Sequence, residues 1–248
     1  MLYTVFMAQM VGYSLHDPCP YLPGREATME IFQEAFDPER YERLLPFGFR
    51  RSGRYFYRYA CAGCARCVPL RLSAAKLNLA GRYRRILQKN SDLDVRVLSP
   101  VPKEEYFLLY EKYSISRHTN PASPTTEEVM ALFSYESSFV VEYRSAGGKL
   151  EGLGFLDMLP SGLSSVYFII DPASSRRSLG YYSVLKEASL AMESGREWYY
   201  LGFWIPGSKK MDYKADFAPF QLANTTAGNW LNVAGREAAL SLLEHGCA

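Results

Sequence analysis

The sequence has no apolar run approaching 18 residues, the length that a membrane-spanning helix needs. Its first 15 residues also lack the basic start and the A-x-A cleavage site of a secretory signal, and Gln9 and Gly12 interrupt their apolar run. The composition therefore predicts no membrane partner and a cytoplasmic location. In that compartment the five cysteines favour metal or redox chemistry over disulfide bonds.

A second absence is local, since residues 50–91 contain no acidic side chain. The same segment holds 11 of the 28 Lys and Arg residues, which leaves 17 basic against 26 acidic groups in the rest of the chain. A protein with a formal net charge of only +2 has thus concentrated positive charge in one segment. Such a segment is typical of a binding site for a phosphate backbone. The 19 tyrosines add flat faces that suit nucleotides.

The length of 248 residues suits one large or two modest domains, and the alternation of elements predicts a mixed α/β (α+β) fold. Ser99-Pro100-Val101-Pro102 breaks the pattern and predicts a boundary between a basic, cysteine-bearing domain, 1–98, and a second domain, 99–248. The second domain is predicted to contain helices, antiparallel strands, a helix and a final apolar strand. The predicted helices cover residues 37–45, 81–90, 103–116, 127–133 and 179–194, the predicted strands cover 27–32, 51–59, 68–72, 94–98, 139–143, 150–159, 164–170 and 198–205, and a polar loop covers 117–126.

The cysteines form a spaced group. Cys61, Cys64 and Cys67 are three residues apart, with Gly63 to relax the turn, and Cys19 adds a fourth thiol beside a rigid proline turn. Four thiolates suit tetrahedral zinc or an iron–sulfur cluster. Adjacent C-x-x-C steps also occur in proteins without metal. Three small, partly buried residues in a bend, or a redox sensor, are therefore the alternatives that the spacing leaves open.

Residues 171–182 lie between a predicted strand and a predicted helix. Arg177 and Gly180 resemble the R-x-x-G-x-G/A loop with which acetyltransferases bind the pyrophosphate of acetyl-coenzyme A. Tyr182 stands at the second small position, where its bulk would crowd a pyrophosphate. We therefore expect an acetyltransferase-like fold whose coenzyme site is absent or altered, and no acetyl-coenzyme A as partner. A basic helix N-terminus without functional consequence is the alternative.

Several segments together resemble the aminoacyl-tRNA–protein transferases of the N-degron pathway, a family of arginyltransferases and bacterial aspartate/glutamate leucyltransferases. The resemblance covers about residues 12–222. It is carried by CPYLPGR from Cys19, GFRRSG from Gly48, the three spaced cysteines, DMLPSGLSSVY from Asp157, Asp171-Pro172, Ser178-Leu179-Gly180, YLGFWI from Tyr200 and K-M-x-Y-K from Lys210. The resemblance implies a cysteine-bearing N-terminal domain and an acetyltransferase-like (GNAT) C-terminal domain. It also implies transfer of an amino acid from a charged tRNA to a protein's N-terminal Asp or Glu, which marks that protein for degradation.

The resemblance is divided between the two branches of the family. Cys19 and the spaced cysteines look like the leucyl branch, whereas the runs Arg50–Tyr57 and Leu179–Glu187 look more like the arginyl branch. Arginine is the favoured donor and leucine the alternative. Eukaryotic members carry a Cys-x-x-Cys that can belong to an iron–sulfur site, but here Leu22 replaces its second cysteine. We expect the transfer to require no cofactor, with an iron–sulfur cluster or zinc as the candidate occupant of Cys19, Cys61, Cys64 and Cys67.

An aminoacyl ester is already activated, so transfer requires only an acceptor α-amine that has lost its proton and is held near the ester carbon. Asp157 and Asp212 are candidate bases or amine anchors, and Tyr167 is a candidate donor to the developing oxyanion. The acceptor's carboxylate needs a cation, for which an arginine fork is the better geometric match. The candidate acceptor-binding residues are Arg50, Arg51, Arg54, Lys209, Lys210, Tyr213 and Lys214, and the candidate tRNA contacts are Arg82, Arg84, Arg85 and Lys89.

Other interpretations remain for these features. The charged residues after the last apolar strand fit a solvated loop, and the basic helix fits a solvated face. A small-molecule N-acetyltransferase is a rival function that Tyr182 opposes. A non-enzymatic RNA-binding metal module is a second rival, which the ordered C-terminal motifs oppose because a binding module would not need them.

Overall fold

The structure is a computed structural model that describes residues 12–34, 36–77, 79–117 and 125–244. The chain forms two compact units: unit 1 comprises Met1–Arg71 and Gly202–Ala248, and unit 2 comprises Leu72–Leu201. The predicted loop over 117–126 falls largely outside the described residues, and Cys247 falls outside them entirely. No helix in the described part of the chain is long and apolar enough to cross a membrane.

Unit 1 contains a four-stranded sheet with the strand order β1-β2-β4-β3. Its strands are β1 (Gly12–Pro18), β2 (Glu26–Phe32), β3 (Arg50–Ser52) and β4 (Tyr55–Tyr59). The turn at Gly53, which has a φ of +57°, divides the single strand predicted over 51–59 into β3 and β4. All seven residues of β1 are exposed, and the sequence did not predict this strand.

Helix α1 (Pro38–Leu44) packs against this sheet through aromatic rings. It begins after Asp37, whose side chain accepts a hydrogen bond from the backbone N–H of Arg40, as the Asp-Pro pair predicts. The ring of Phe56 lies 4.4 Å from that of Phe36 and 4.9 Å from that of Tyr41, measured between centroids. These buried rings form the core between helix and sheet.

The C-terminal part of the chain also belongs to unit 1. It contains β11 (Phe220–Asn224), β12 (Asn229–Val233) and α6 (Arg236–Glu244), none of which the sequence predicted. Strand β11 pairs antiparallel with β12 and with β5 (Val68–Ser73), where Leu222 lies opposite Leu70. The partners in this second pairing are about 150 positions apart in the sequence, so local periodicity cannot reveal it.

Unit 2 is built on strands in the order β10-β9-β8-β7-β6. Its strands are β6 (Asp94–Leu98), β7 (Ser138–Arg144), β8 (Leu150–Met158), β9 (Gly162–Ile170) and β10 (Trp198–Trp204). Its helices are α2 (Arg82–Lys89), α3 (Glu104–Arg117), α4 (Thr126–Ala131) and α5 (Leu179–Glu193). Strands β6 to β9 are antiparallel neighbours, whereas β10 follows α5 and runs parallel to β9. This is the order of elements predicted for an acetyltransferase-like domain, and the predicted fold class is confirmed.

One part of the core of unit 2 lies between α3 and the sheet. Tyr106 and Leu109 of α3 are buried against Val140, Leu153 and Phe155, and Tyr110 and Tyr113 pack at its edge. These four α3 residues form the apolar face that their spacing predicts.

The two units do not follow the predicted boundary between residues 98 and 99. Residues 72–98 belong to unit 2. Within them, strand β6 pairs with β7 along its whole length, from Asp94 opposite Arg144 to Leu98 opposite Val140. The proline-containing run after β6 is thus a connection inside unit 2. The boundaries between the two units fall within strands β5 and β10. A strand interior has no change of composition from which a boundary could be predicted.

Candidate functional site

The four described cysteines line one cavity of about 280 Å³ in unit 1. Cys19, Cys61, Cys64 and Cys67 are all free and half-buried. The turn between the first two spaced cysteines closes through the backbone N–H of Cys64, which donates to the carbonyl of Cys61 at 3.3 Å. Gly63 takes a φ of +66° in this turn, a conformation that favours glycine. The fold therefore brings together the thiols that the sequence singled out.

The protonation of these thiols bears on whether they could hold a metal. Burial first, and then the neighbouring Cys61, Cys64 and Cys19, raise the pKa of Cys67 to about 12. The Sγ atom of Cys61 accepts a hydrogen bond from the backbone N–H of Thr28 at 3.3 Å. The donor types suit zinc or an iron–sulfur cluster. However, among the described residues no group of three or more His, Cys, Asp or Glu side chains is placed to share one ion.

Aromatic rings form another wall of the cavity. The ring centroids of Tyr21 and Tyr59 lie 5.9 Å apart, and those of Tyr59 and Phe203 lie 5.7 Å apart. Burial raises the pKa values of both tyrosines well above their ordinary value, so their hydroxyls stay protonated. Arg58 also lines the cavity and donates from Nε to Oε2 of Glu30 at 2.5 Å.

Two cations lie side by side deeper in unit 1. Arg50 is on β3, opposite Tyr57 of β4, and Lys214 is on the 3₁₀ turn Asp212–Asp216. A Cβ atom built on Gly202 would lie 3.3 Å from Nζ of Lys214 and 3.5 Å from Nη2 of Arg50. Burial first, and the charge of Arg50 second, lower the pKa of Lys214 to about 7. The fold thus unites two of the predicted acceptor-binding residues.

The other predicted acceptor-binding residues have different surroundings. Arg51 is buried, and its Nη1 atom donates to the carbonyl of Gly53 at 2.5 Å, so it helps to hold the β3–β4 turn. The ring of Tyr213 is half-buried and lies 6.4 Å from that of Phe217. The remaining three, Arg54, Lys209 and Lys210, are exposed.

Asp212 takes part in a network that closes the turn carrying Lys214. Its Oδ1 atom accepts hydrogen bonds from Nε1 of Trp204 at 3.0 Å and from Nη1 of Arg236 at 2.5 Å. The Nη2 atom of Arg236 donates to the carbonyl of Asp212 at 3.0 Å and to Oδ1 of Asp216 at 2.8 Å. Asp212 was predicted as a base or amine anchor. These hydrogen bonds indicate instead that its carboxylate positions the turn that carries Lys214.

The other two predicted catalytic residues are in unit 2. Asp157 is fully buried on β8 and accepts a hydrogen bond from Oγ of Ser138 at 2.8 Å. Tyr167 is half-buried on β9, with its ring centroid 5.6 Å from that of Tyr110 and 6.1 Å from that of Tyr113. Tyr167 therefore belongs to a cluster of tyrosines between β9 and α3, whereas Asp157 lies inside the sheet.

The basic helix α2 exposes all four predicted tRNA contacts, Arg82, Arg84, Arg85 and Lys89. Tyr83 is buried and anchors the helix. The guanidinium of Arg82 lies 5.0 Å from the ring centroid of Tyr181, which is in the first turn of α5. Nζ of Lys89 donates to the backbone carbonyl of Arg176. Helix α2 thus lies against the start of α5 with its charges turned to the solvent.

The loop before α5 differs from a coenzyme-binding loop in its contacts. Both terminal nitrogens of Arg177 donate to the carboxylate of Asp92, at 2.8 Å each. The side-chain amide of Asn90 donates to the carbonyl of Arg177 at 2.9 Å. Tyr182 is only 4% exposed, and its ring lies 5.9 Å from that of Tyr143 in the core. Its bulk therefore fills the core, which differs from the predicted crowding of a pyrophosphate.

Two family profiles match the two parts of this chain. The profile described as "Arginine-tRNA-protein transferase, N terminus" matches residues 17–85, and the one described as "Arginine-tRNA-protein transferase, C terminus" matches residues 105–224. The chain belongs to the arginine-tRNA–protein transferase family. The resemblance stated from the sequence is confirmed, and the protein is an aminoacyltransferase of this family.

Curated relatives of this transferase carry a more specific name. A protein named aspartate/glutamate leucyltransferase from Saccharophagus degradans is 36% identical over 211 residues, which is 83% of this chain and 89% of the relative. A protein of the same name from Pseudomonas fluorescens is 38% identical over 210 residues, or 82% and 89% of the two chains. The solved structure of FemX covers 97% of this chain and 92% of its own with a TM-score of 0.50 at 7% identity, a similarity of fold alone.

Sequence reasoning missed two groups of residues in this transferase. Arg236 is 24 positions from Asp212, and no motif links them. Glu187 is buried in α5, where it accepts hydrogen bonds from Tyr199 at 2.5 Å and from Tyr143 at 3.0 Å. An acidic residue among the apolar positions of an amphipathic helix was the available signal, because a buried carboxylate needs partners.

Proposed function

We propose that this protein transfers leucine from Leu-tRNA to the N-terminal Asp or Glu of acceptor proteins. The observation that carries the proposal is the 36–38% identity, over more than four fifths of the chain, to proteins named aspartate/glutamate leucyltransferase. Arginine, the donor favoured by the sequence, is the second candidate. One of the two motifs that favoured arginine, Leu179–Glu187, consists mainly of buried residues of α5. Similarity in that motif therefore reflects packing of the core more than the identity of the donor.

The reaction needs little beyond positioning. Attack of the acceptor α-amine on the ester carbon forms an amide, breaks the ester and releases tRNA with its terminal hydroxyl. A free α-amine has a pKa of about 7.7–8.0, so roughly a fifth of it is already neutral near pH 7.2. Holding that amine against the ester supplies the larger part of the rate, and a base is not required for a substantial rate.

The proposed roles follow from burial and contacts. The hydroxyl of Tyr167 donates a hydrogen bond to the developing oxyanion. The half-buried position of Tyr167 in the tyrosine cluster supports this role. Asp157 holds Ser138 and the sheet, because it is fully buried. Asp212 positions the turn that carries Lys214, because its carboxylate is shared by Trp204 and Arg236.

The acceptor stem of the tRNA binds on helix α2. The exposed charges of this helix support the assignment, since Lys and Arg side chains that contact phosphates must be free of burial. A solvated basic face is the competing explanation, and the salt dependence of tRNA binding distinguishes the two. Charged tRNA is a cytoplasmic substrate, so a cytoplasmic location without a membrane partner belongs to the same proposal.

No cofactor takes part in the proposed transfer, because the ester supplies the activation. Zinc or an iron–sulfur cluster would be held by Cys19, Cys61, Cys64 and Cys67, and would brace the turn between them. The described geometry does not bring three of these ligands to one point, so no step depends on such a group. Retained transfer by chelator-treated, metal-free protein tests this part. We also propose that acetyl-coenzyme A is not a partner. The hydrogen bonds from Arg177 to Asp92 support this, because they occupy the arginine of the coenzyme-binding motif. A binding titration with acetyl-coenzyme A tests it.

The donor is tested by a competition between two charged tRNAs. Purified protein receives Leu-tRNA or Arg-tRNA, charged separately, with peptides that begin with Asp, Glu or Ala. We expect leucine on the Asp and Glu peptides and no transfer to the Ala peptide. Transfer of arginine alone would replace leucine as the donor, and transfer from neither tRNA would overturn the proposed function.

A further inference from the structure

Two sequence motifs that the proposed transfer leaves without a task meet at the cavity of unit 1. The CPYLPGR motif ends at Arg25, and Arg66 lies between Cys64 and Cys67. Both arginines line the cavity of about 280 Å³. The turn that presents Arg25 is closed by the backbone N–H of Cys19, which donates to the carbonyl of Arg25 at 2.8 Å. The two motifs therefore place two cations at one cavity.

The guanidinium groups of these two arginines are available to a ligand. Both side chains are exposed, and neither makes a hydrogen bond or an ion pair within the part of the chain that the structure describes. The third arginine of the lining, Arg58, differs because its Nε atom donates to Oε2 of Glu30 at 2.5 Å. The lining contains one carboxylate, that of Glu26. Arg25 and Arg66 therefore leave a net positive charge that a ligand can balance.

The polar groups around the cavity are mostly hydrogen-bond donors. Arginine donates and cannot accept, and the hydroxyl of a tyrosine carries a proton at neutral pH. Tyr21 and Tyr59, whose ring centroids lie 5.9 Å apart, add two such hydroxyls to the lining. A cavity that is rich in donors and in positive charge suits a ligand that brings acceptors and negative charge.

The size of the cavity favours a single side chain as that ligand. Sites for drug-sized molecules measure about 300–1,000 Å³, so this cavity is small for a nucleotide and sufficient for one amino-acid side chain. Val68, Phe203 and Ile205 give it apolar walls, next to which an ion pair is stronger than in open water. An arginine fork matches a planar carboxylate with two parallel hydrogen bonds. A carboxylate on a short aliphatic stem therefore fits both the walls and the cations.

On this basis we infer that the cavity receives the side chain of the acceptor's N-terminal Asp or Glu, and that Arg25 and Arg66 bind its carboxylate. The inference rests on the proposed function and adds the residues that select the acceptor. An N-terminal Asn or Gln has the same shape, but its amide brings no charge and turns N–H donors towards arginine donors. The two arginines therefore explain how the enzyme would reject these neutral isosteres.

This assignment differs from the one that the sequence predicted. None of the acceptor-binding residues predicted from the sequence lines the cavity. A phosphodiester is linked on two sides and suits the exposed cations of helix α2 better than a cavity of this size. The position of Arg25 and Arg66 at the cavity is thus the feature that favours one carboxylate over a nucleic-acid backbone.

The test measures binding of C-terminally labelled peptides by fluorescence anisotropy, without transfer. Four peptides differ only in their first residue, which is Asp, Asn, Glu or Gln. We expect the wild-type protein to prefer the acid over its amide. Arg25→Met and Arg66→Met should each reduce that preference about 3- to 10-fold, between the effect of an exposed ion pair and that of a charged hydrogen bond. Arg66→Lys, which keeps the charge but not the fork, should fall between wild type and Arg66→Met. Arg43→Met, which removes an exposed arginine of α1 outside the lining, should leave the preference unchanged.

Two further measurements test the cavity apart from its charges. Ala65 is exposed and belongs to the lining, so Ala65→Leu narrows the cavity and keeps every charge. We expect this variant to bind the Asp and Glu peptides more weakly than wild type. In the wild-type protein, the Asp peptide should slow hydrogen exchange of residues 19–25 and 61–67 more than the Asn peptide does.

Several results would overturn the inference. A wild-type preference near 1, or an unchanged preference in both Arg25→Met and Arg66→Met, would show that these arginines do not read the acceptor. Unchanged binding by Ala65→Leu, or equal exchange with the Asp and Asn peptides, would show that the cavity is not the site. Weaker tRNA binding by the arginine variants with an unchanged preference would assign them to phosphates instead. Failure of leucine transfer by wild type with an intact acid preference would count against the proposed function alone.

Discussion

The Nη1 atom of Arg236 donates to Oδ1 of Asp212 across 2.5 Å and thereby ties helix α6 to the turn that carries Lys214. Its Nη2 atom secures Asp216 at the other end of the turn, at 2.8 Å. Arg236 is therefore a positioning residue for the turn that carries Lys214.

Replacing this residue should lower stability. Arg236→Gln is expected to lower the free energy of unfolding by about 0.5–1 kcal/mol, because the pairs that it breaks are partly exposed. Partial rescue by Arg236→Lys is expected, since lysine keeps the charge. Urea unfolding of the three proteins measures the effect. An unchanged free energy of unfolding in Arg236→Gln would show that these ion pairs do not stabilise the fold.

The buried Lys214 should make stability depend on pH. Its pKa is lowered from 10.5 to about 7, first by burial and then by Arg50. Between these two values the unfolded chain holds a proton that the folded chain does not, so the free energy of unfolding rises with pH across that window and levels off below about pH 7. One proton corresponds to about 1.4 kcal/mol per pH unit. Urea unfolding at pH 7, 8 and 9 should show this slope in wild type and its loss in Lys214→Met. Equal slopes in the two proteins would count against the lowered pKa.

Glu187 should produce the opposite dependence in unit 2. Burial raises its pKa from 4.5 to about 7, while hydrogen bonds from Tyr199 and Tyr143 lower it to a smaller extent. Between these values the folded chain holds the extra proton. Its contribution to stability is therefore fully present below about pH 4.5 and is lost as the pH rises through about 7.

The variant Glu187→Gln cannot ionise; its carbonyl oxygen still accepts from one tyrosine, while an amide nitrogen replaces the carboxylate oxygen that accepts from the other. We expect the free energy of unfolding of wild type to fall relative to that of Glu187→Gln between pH 5 and pH 8. The difference should be on the order of 3 kcal/mol if the full shift is realised. Parallel urea titrations at the two pH values measure it. A constant difference between the two proteins would mean that Glu187 ionises normally in the fold.

Helix α2 predicts the salt dependence of tRNA binding. Arg84 and Arg85 are both exposed, and their removal should release two fewer counterions when the tRNA binds. The slope of log K against log salt should therefore become shallower by about 1.5–2 in Arg84→Ala/Arg85→Ala. Filter binding across a salt series provides the measurement. The control Arg96→Ala/Lys112→Ala removes two exposed charges of unit 2 outside α2 and should keep the wild-type slope. An unchanged slope in the α2 variant would show that this helix does not bind the tRNA.

Features fixed by neighbouring residues could be predicted from the sequence. The cap at Asp37 follows from the Asp-Pro pair, and the buried face of α3 follows from the spacing of Tyr106 and Leu109. The span of β6 was predicted to the residue, because Asp94–Leu98 alternates cleanly.

Features fixed by distant residues could not be predicted. The adjacency of Arg50 and Lys214 depends on a strand and a turn 164 positions apart. The domain boundary depends on which strand β6 joins, and local composition does not carry that information. The motifs identified the family. The fold decides which of the predicted site residues are buried together and which face the solvent.

The most direct measurement is the intact mass of a peptide that begins with Asp after incubation with the purified protein and Leu-tRNA. The account predicts a gain of one leucyl residue, located by fragmentation at the α-amine, with no gain on the matched peptide that begins with Ala and none without charged tRNA. An unchanged mass of the Asp peptide with both Leu-tRNA and Arg-tRNA, from protein that is folded and binds tRNA, would contradict the account.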